Sequence, residues 1–139
     1  FEYHLETENH ILIDDYAHHP TEISACLNSV RALYPEHKVT AIFQPHLFSR
    51  TRDFAIGFGK ALSLADEVLI LPIYPARELP IPGVTSEMIA NNINSENVKC
   101  LDKKELLNNI KERKKTDLLI IAGAGDIDLL VDPLKTILN

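Results

Sequence analysis

Two carboxylates, a phenol and two imidazoles stand together in Asp14-Asp15-Tyr16-Ala17-His18-His19, with Pro20 next in line. Such a set can grip a nucleotide, because an aromatic ring stacks on a base and a carboxylate accepts from a ribose hydroxyl. The same aspartates can instead cap a helix or end a strand. His18, His19 and His46 also invite a zinc reading, imidazole being a common ligand. Neighbours in an extended turn point in different directions, however, and neither HxH nor HxxxH spacing occurs. No metal site is therefore expected. Pro20 disfavours the helical region for His19, which gives that histidine a geometric role in the turn.

A second polar group lies in Phe43-Gln44-Pro45-His46-Leu47-Phe48-Ser49-Arg50-Thr51-Arg52-Asp53. His46, Arg50 and Arg52 gather where a helix begins, a place that favours anions through free N–H groups and the macrodipole. Arginine there can hold a carboxylate or phosphate bidentately; alternatively the arginines are solvated and pair with Asp53 or Glu22. Gly123-Ala124-Gly125-Asp126 is half of a dinucleotide fingerprint, whose third glycine would have to stand at Asp128. Gly123 and Gly125 are read as a tight strand-to-helix turn, either admitting a ligand close to backbone or serving the turn alone. No phosphate loop of the form G-x-x-x-x-G-K-[ST] is present: Gly57 and Gly59-Lys60 come nearest, inside a helical stripe.

Both polar groups follow apolar runs, and those runs are what must position them. Ile11 to Asp14, Val39 to Phe43, Val68 to Leu71, Val98 to Leu101 and Leu118 to Ala122 read as strands, mostly covered on both faces. Phe1 to Glu6 alternates weakly and reads as an edge strand. Between them, Ile23, Cys26, Leu27, Val30, Leu33 and Tyr34 recur at helical spacing, as do Phe54, Phe58, Ala61, Leu62 and Ala65 behind a Ser49 N-cap. Thr85 or Ser86 caps a helix reaching about Ile93, Asp102 and Glu105 have capping-box spacing, and Ile127 to Leu138 closes the chain as a helix. The proline-rich stretch Pro72 to Val84 is a long loop at the carboxyl end of a strand, where functional loops concentrate. Strand–helix alternation predicts an α/β fold: a Rossmann-like, mostly parallel sheet with helices on both faces and one antiparallel edge strand. Ligands of such sheets bind at the carboxyl ends of the strands, so the two polar turns are expected to converge on one rim.

Bulk properties narrow the partners. The chain has 139 residues, suiting one domain, and a formal charge of −6 with a pI near 5.4. That balance argues against nonspecific binding to nucleic acid or anionic lipid. The basic end Lys111 to Lys115 has no interleaved aromatics and reads as a solvated helix end. No apolar run approaches the ~20 residues that span a bilayer, and no secretory signal is visible. Cys26 and Cys100 lack CxxC partners and read as buried free thiols in a reducing compartment. A start at Phe1 without Met is expected of a fragment or a processed product.

Asp15-Tyr16-Ala17-His18-His19-Pro20, Gln44-Pro45-His46 with Ser49-Arg50-Thr51-Arg52, Leu71-Pro72-Ile73-Tyr74-Pro75-Ala76, Pro80-Ile81-Pro82-Gly83 and Gly123-Ala124-Gly125-Asp126 occur here in one order. Together they resemble the C-terminal domain of the Mur ligases, in particular the branch that joins L-alanine to UDP-N-acetylmuramate in peptidoglycan precursor synthesis. The resemblance implies a cytoplasmic, ATP-dependent amide ligase that activates a carboxylate as an acyl phosphate. Residues 1–139 would be the third of three domains, its partners being an N-terminal UDP-substrate domain and a central ATPase domain that binds most of the ATP and Mg2+. Asp15, Tyr16 and His18 would then contact nucleotide and substrate, and His46 and Arg50 the carboxylate of L-alanine. Arg52, Gly123 and Gly125 are further candidates. No catalytic residue is expected in this piece, which should fold alone without turning over. One departure stands out: Leu47 occupies a position that is basic in many relatives. A murein tripeptide recycling ligase shares the first motif, and a stand-alone nucleotide-binding module is the rival from another class.

Overall fold

Apolar residues alternate between two faces along every central strand, and the two faces build two separate cores. In the computed structural model, which describes Phe1–Asn139, β1 (Glu2–Glu6) and β2 (Ile11–Asp15) form an antiparallel pair with a bulge between Tyr3 and Leu5. Then follow α1 (Pro20–Leu33), β3 (Val39–Phe43), α2 (Phe48–Leu62), β4 (Glu67–Ile70), α3 (Glu87–Ala90), β5 (Val98–Cys100), α4 (Lys103–Lys111) and β6 (Leu118–Ala122). A 3-10 turn, Asp126–Leu130, leads into α5 (Val131–Leu138). The sheet order is β1-β2-β6-β3-β4-β5, and every pair after the first is parallel. The α/β class, the parallel core and the antiparallel edge strand are as the sequence predicts.

Ile11, Ile13, Ala41, Phe43, Val68, Ile70, Leu118 and Ile120 face one core, with Ile23 and Leu27 of α1 and Phe58 and Leu62 of α2. Leu12, Ile42, Leu69, Leu119 and Ile121 face the other, against Leu106 of α4 and Leu134 of α5. A strand buried on both sides is apolar at nearly every position, buried Thr40 of β3 being an exception whose hydroxyl donates to Glu67, which is why these segments read as near-continuous runs.

Several local expectations are corrected. Leu33 is 58 % exposed, at the end of α1, and does not belong to the core. Ser49 does not cap α2; the cap position is Leu47, whose side chain has no acceptor to offer. Ser86 makes no side-chain cap either, because its hydroxyl donates to the Leu71 carbonyl at 2.6 Å and ties α3 to the end of β4. The helix it precedes has only four residues and stops short of Ile93. The closing helix begins as a 3-10 turn. By contrast, the Asp102–Glu105 capping box forms as the spacing indicates.

Candidate functional site

The turn after β2 is built by its own polar groups. Asp15 Oδ1 accepts the Ala17 N–H at 2.8 Å, and Asp15 Oδ2 lies 3.2 Å from the Phe1 backbone nitrogen. His19 is extended (φ −120°, ψ 147°), as a residue before proline prefers. Its Nδ1 accepts the Thr21 N–H, while Glu22 reaches back to the His19 N–H at 3.1 Å, completing a capping box for α1. His19 is thus a helix cap. His18 Nδ1 donates to the Tyr16 carbonyl at 2.9 Å, which orients its ring and leaves Nε2 outward. Tyr16 itself is 69 % exposed and meets the edge of His18 at 5.3 Å between ring centres. Asp15 and His19 hold the turn; Tyr16 and His18 are what it presents.

The turn after β3 is stitched to the proline-rich loop. The Gln44 N–H extends the ladder to the Ala122 carbonyl, and His46 pairs with Tyr74 in a parallel bridge. The Leu47 N–H donates to Tyr74 O at 2.9 Å, and the Tyr74 N–H to Pro45 O at 2.8 Å. The His46 and Tyr74 rings stack at 5.7 Å with 16° between planes. Leu47 carries φ +71°, a left-handed value that costs a non-glycine residue on the order of 1 kcal/mol. Since Leu47 cannot cap α2, Glu78 does so from the loop: its carboxylate accepts the Ser49 N–H at 3.0 Å and the Ser49 hydroxyl. Those bonds hold the Glu78 carboxyl below its usual pKa.

His46 is pushed the other way. Burial lowers its pKa first, and the neighbouring Arg50 and His18 add to that, against an opposing pull from Glu78. Its Nδ1 is buried and has no hydrogen-bond partner. At neutral pH the imidazole is therefore uncharged, with an unused nitrogen. Arg50 is half-buried, and no carboxylate claims its guanidinium. Arg52 does not share that status: it pairs with Asp53 at 2.8 Å on the surface, the solvated arrangement open to it from the sequence. Leu47 shapes the turn.

These turns converge, though not as neighbours. Both lie at carboxyl ends of parallel strands, and the His18 and His46 rings are 6.5 Å apart. Between β2 and β3, however, runs β6, so the glycine turn separates the two corners. Gly123 has φ +150°, outside the reach of most side chains, and its N–H donates to Asp15 O. A Cβ on Gly125 would come within 2.5 Å of Gln44 Oε1 and 2.7 Å of Tyr74 Cγ. The close approach that the glycines allow is thus made by the protein's own Gln44 and Tyr74. Buried Gln44 donates to Asp126 Oδ1 at 2.7 Å, and Lys103 pairs with Asp126 Oδ2 at 2.6 Å. Lys103, followed by Gln44, lowers the Asp126 pKa.

Tyr74, Glu78, Gln44 and Asp126 are not legible as site residues from spacing. The available signals are Gln44, a polar side chain prolonging an apolar strand, and the place of Tyr74 and Asp126 in segments that carry the family resemblance. No group of three His, Cys, Asp or Glu side chains is arranged to hold a metal. Two clefts open on the same rim, of about 540 Å³ beside Tyr74, Lys104 and Asp126 and about 370 Å³ between Phe48, Val84 and Leu101. Neither is lined by Tyr16, His18, His46 or Arg50, which form an open face. No helix is long and apolar enough to cross a membrane.

A family model described as Mur ligase, glutamate ligase domain, matches residues 1–125. UDP-N-acetylmuramate–L-alanine ligases of Cytophaga hutchinsonii and Porphyromonas gingivalis are each 51 % identical to the chain, over 97 % and 100 % of its length. The chain spans 29 % and 30 % of those two proteins. Among solved structures, the UDP-N-acetylmuramate–alanine ligase of Thermotoga maritima superposes with a TM-score of 0.74 at 26 % identity, over 98 % of this chain and 29 % of that one. A murein peptide ligase of Psychrobacter arcticus shares the fold, with a TM-score of 0.76 at 22 % identity over 99 % of this chain and 29 % of that one. The chain belongs to the Mur ligase family, as the C-terminal, glutamate ligase domain of that family.

Proposed function

We propose that residues 1–139 are the closing domain of a three-domain, ATP-dependent ligase that joins L-alanine to UDP-N-acetylmuramate. The observation that carries this reading is the open face at the carboxyl rim: Tyr16 exposed, His18 and His46 ring to ring, and Arg50 unpaired beside a neutral imidazole. Residues with unspent bonding capacity on a face, not in a pocket, suit a site completed by a companion domain. The 51 % identity to named L-alanine ligases supports the choice of amino acid.

In this reading Tyr16 stacks on the adenine of ATP and His18 Nε2 meets the nucleotide or acyl substrate, while Asp15 shapes the turn that presents them. Arg50 holds the carboxylate of L-alanine, with His46 beside it as a neutral hydrogen-bonding partner. The residues present do not fit Mg2+, there being no carboxylate cluster for it; that ion and the phosphate loop are assigned to the central domain, and no step is routed through them here. What this chain supplies is binding, orientation and exclusion of water from the activated carboxyl group when it closes.

In the full-length enzyme, Arg50→Ala should raise KM for L-alanine at least about tenfold, the loss of one charge-assisted contact, with KM for ATP nearly unchanged. Equal effects on both substrates would overturn the assignment. Calorimetry separates the rival class: a self-sufficient nucleotide module binds ATP tightly alone, a closing domain weakly or not at all.

A further inference from the structure

We propose that Glu78 is a positioning residue for amino-acid capture: it fills the anion site at the start of α2 from within the protein, so that the incoming carboxylate must be met by the Arg50 and His46 side chains. The proposal rests on the assignment of Arg50 and His46 to the amino-acid carboxylate and adds a residue that no motif in the sequence marks.

Three observations support it. The start of α2 has no cap of its own, because Leu47 is apolar and left-handed. Free N–H groups at such a start attract a carboxylate, and the Glu78 carboxylate already occupies it through the backbone N–H and hydroxyl of Ser49. Arg50 is the next residue along that first turn, and the Glu78 carboxylate bonds to Ser49 and not to its guanidinium. Glu78 therefore bonds to backbone and hydroxyl rather than to the cation that a ligand needs. The loop carrying Glu78 is anchored beside it by the Tyr74 bonds to Pro45 and Leu47 and by the Tyr74–His46 stack. One loop thus fixes both the imidazole and the helical turn on which Arg50 stands.

The geometry also distinguishes two roles for a carboxylate in this place. As a clamp, Glu78 stays put and orients Arg50. As a plug, it would mimic the ligand and have to leave. Its partners are backbone and hydroxyl donors of its own protein, and Arg50 is untouched, which fits the clamp.

Steady-state kinetics on the full-length ligase with Glu78→Ala, Glu78→Gln, Arg50→Ala and the Arg50→Ala/Glu78→Ala double variant test this. Glu78→Ala should raise KM for L-alanine about tenfold, with kcat and KM for ATP within about twofold. Glu78→Gln, which retains an oxygen for the Ser49 N–H, should fall between it and wild type. In the Arg50→Ala background, Glu78→Ala should add less than about twofold, since a residue acting through Arg50 has nothing left to position. An unchanged or lowered KM for L-alanine in Glu78→Ala, the latter being the signature of a plug, overturns the proposal; so does full additivity in the double variant. If Glu78→Ala does not fold, an unchanged KM in Glu78→Gln has the same force. The underlying assignment fails separately, and takes this proposal with it, if Arg50→Ala itself leaves KM for L-alanine unmoved.

Discussion

The two rims of the sheet treat their arginines differently: those at the amino rim are paired, while at the carboxyl rim Arg52 is paired with Asp53 and Arg50 is not. At the amino ends of the strands, Arg113 holds Glu67 through two bonds of 2.6 and 2.7 Å, and Arg31 holds Asp66 at 2.9 Å. Asp66 and Asp117 also accept the N–H groups that open β3, from Val39 and Lys38. At the carboxyl ends, Arg50 has no carboxylate, His46 has an idle buried nitrogen, and Tyr16 stands in solvent. An arginine held by a carboxylate of the fold is part of the architecture. Arg50, unmatched beside an uncharged imidazole, is left free by the fold, which is what the role proposed for it requires. Charged residues in this domain are therefore informative through their pairing more than through their presence.

Substitutions at the two rims should accordingly fail in different assays. The largest stability loss is expected for Glu67→Ala, which strands the mostly buried Arg113: about 3 kcal/mol by urea unfolding, with KM for L-alanine unaltered in the full-length enzyme. A change in that KM would erase the distinction between rims. Gly125→Ala should cost about 2 kcal/mol, because its Cβ would collide with Gln44 and Tyr74 where no slack exists; a neutral result in thermal unfolding would mean the turn yields easily.

The pH dependence of stability should divide in the same way. Burial raises the Glu67 pKa, but Arg113 with Thr40 and Lys38 outweighs it, so the net shift is downward from 4.5. Asp66 is lowered from 3.8, chiefly by Arg31. For carboxyl groups lowered by folding, stability is present above the unfolded value and lost as the pH falls through the folded one. The amino rim should thus weaken only below about pH 4.5. His46 is a base lowered from 6.5, so the unfolded chain takes up its proton first and stability declines just below that pH. Unfolding midpoints followed from pH 7.5 downward should show an early, shallow decline that His46→Asn removes and a later, steeper one that Glu67→Ala reduces. The smallest effect belongs to Arg50→Ala, within about 0.5 kcal/mol of wild type. A larger loss would show that Arg50 is structural after all.

Much of this architecture is legible in the chain itself. The strands β2, β3 and β6 can be placed because burial on both faces demands near-continuous apolar runs, and Asp102 with Glu105 announces a capping box that exists. The polar turns can be named because five titratable groups in six residues do not serve a core. What spacing misses is anything whose partner lies far along the chain. Ser49 has the type and place of a cap, yet the cap is Glu78, 29 residues later. Gly123 and Gly125 suggest room for a ligand, yet Gln44 and Tyr74 take that room. Arg52 could be read either as a further anion contact or as a solvated partner of Asp53, and only the structure shows the pairing.

By itself, the sequence determined which segments are strands and helices, since hydrophobic period and local caps act over a few residues. It also determined which side chains are able to carry chemistry, since that is written in their types. Only the tertiary structure decided that β6 inserts between β2 and β3, because buried strands of like composition carry no label for their neighbours. It alone decided which charges are satisfied, because pairing depends on distances across the fold that spacing along the chain does not encode.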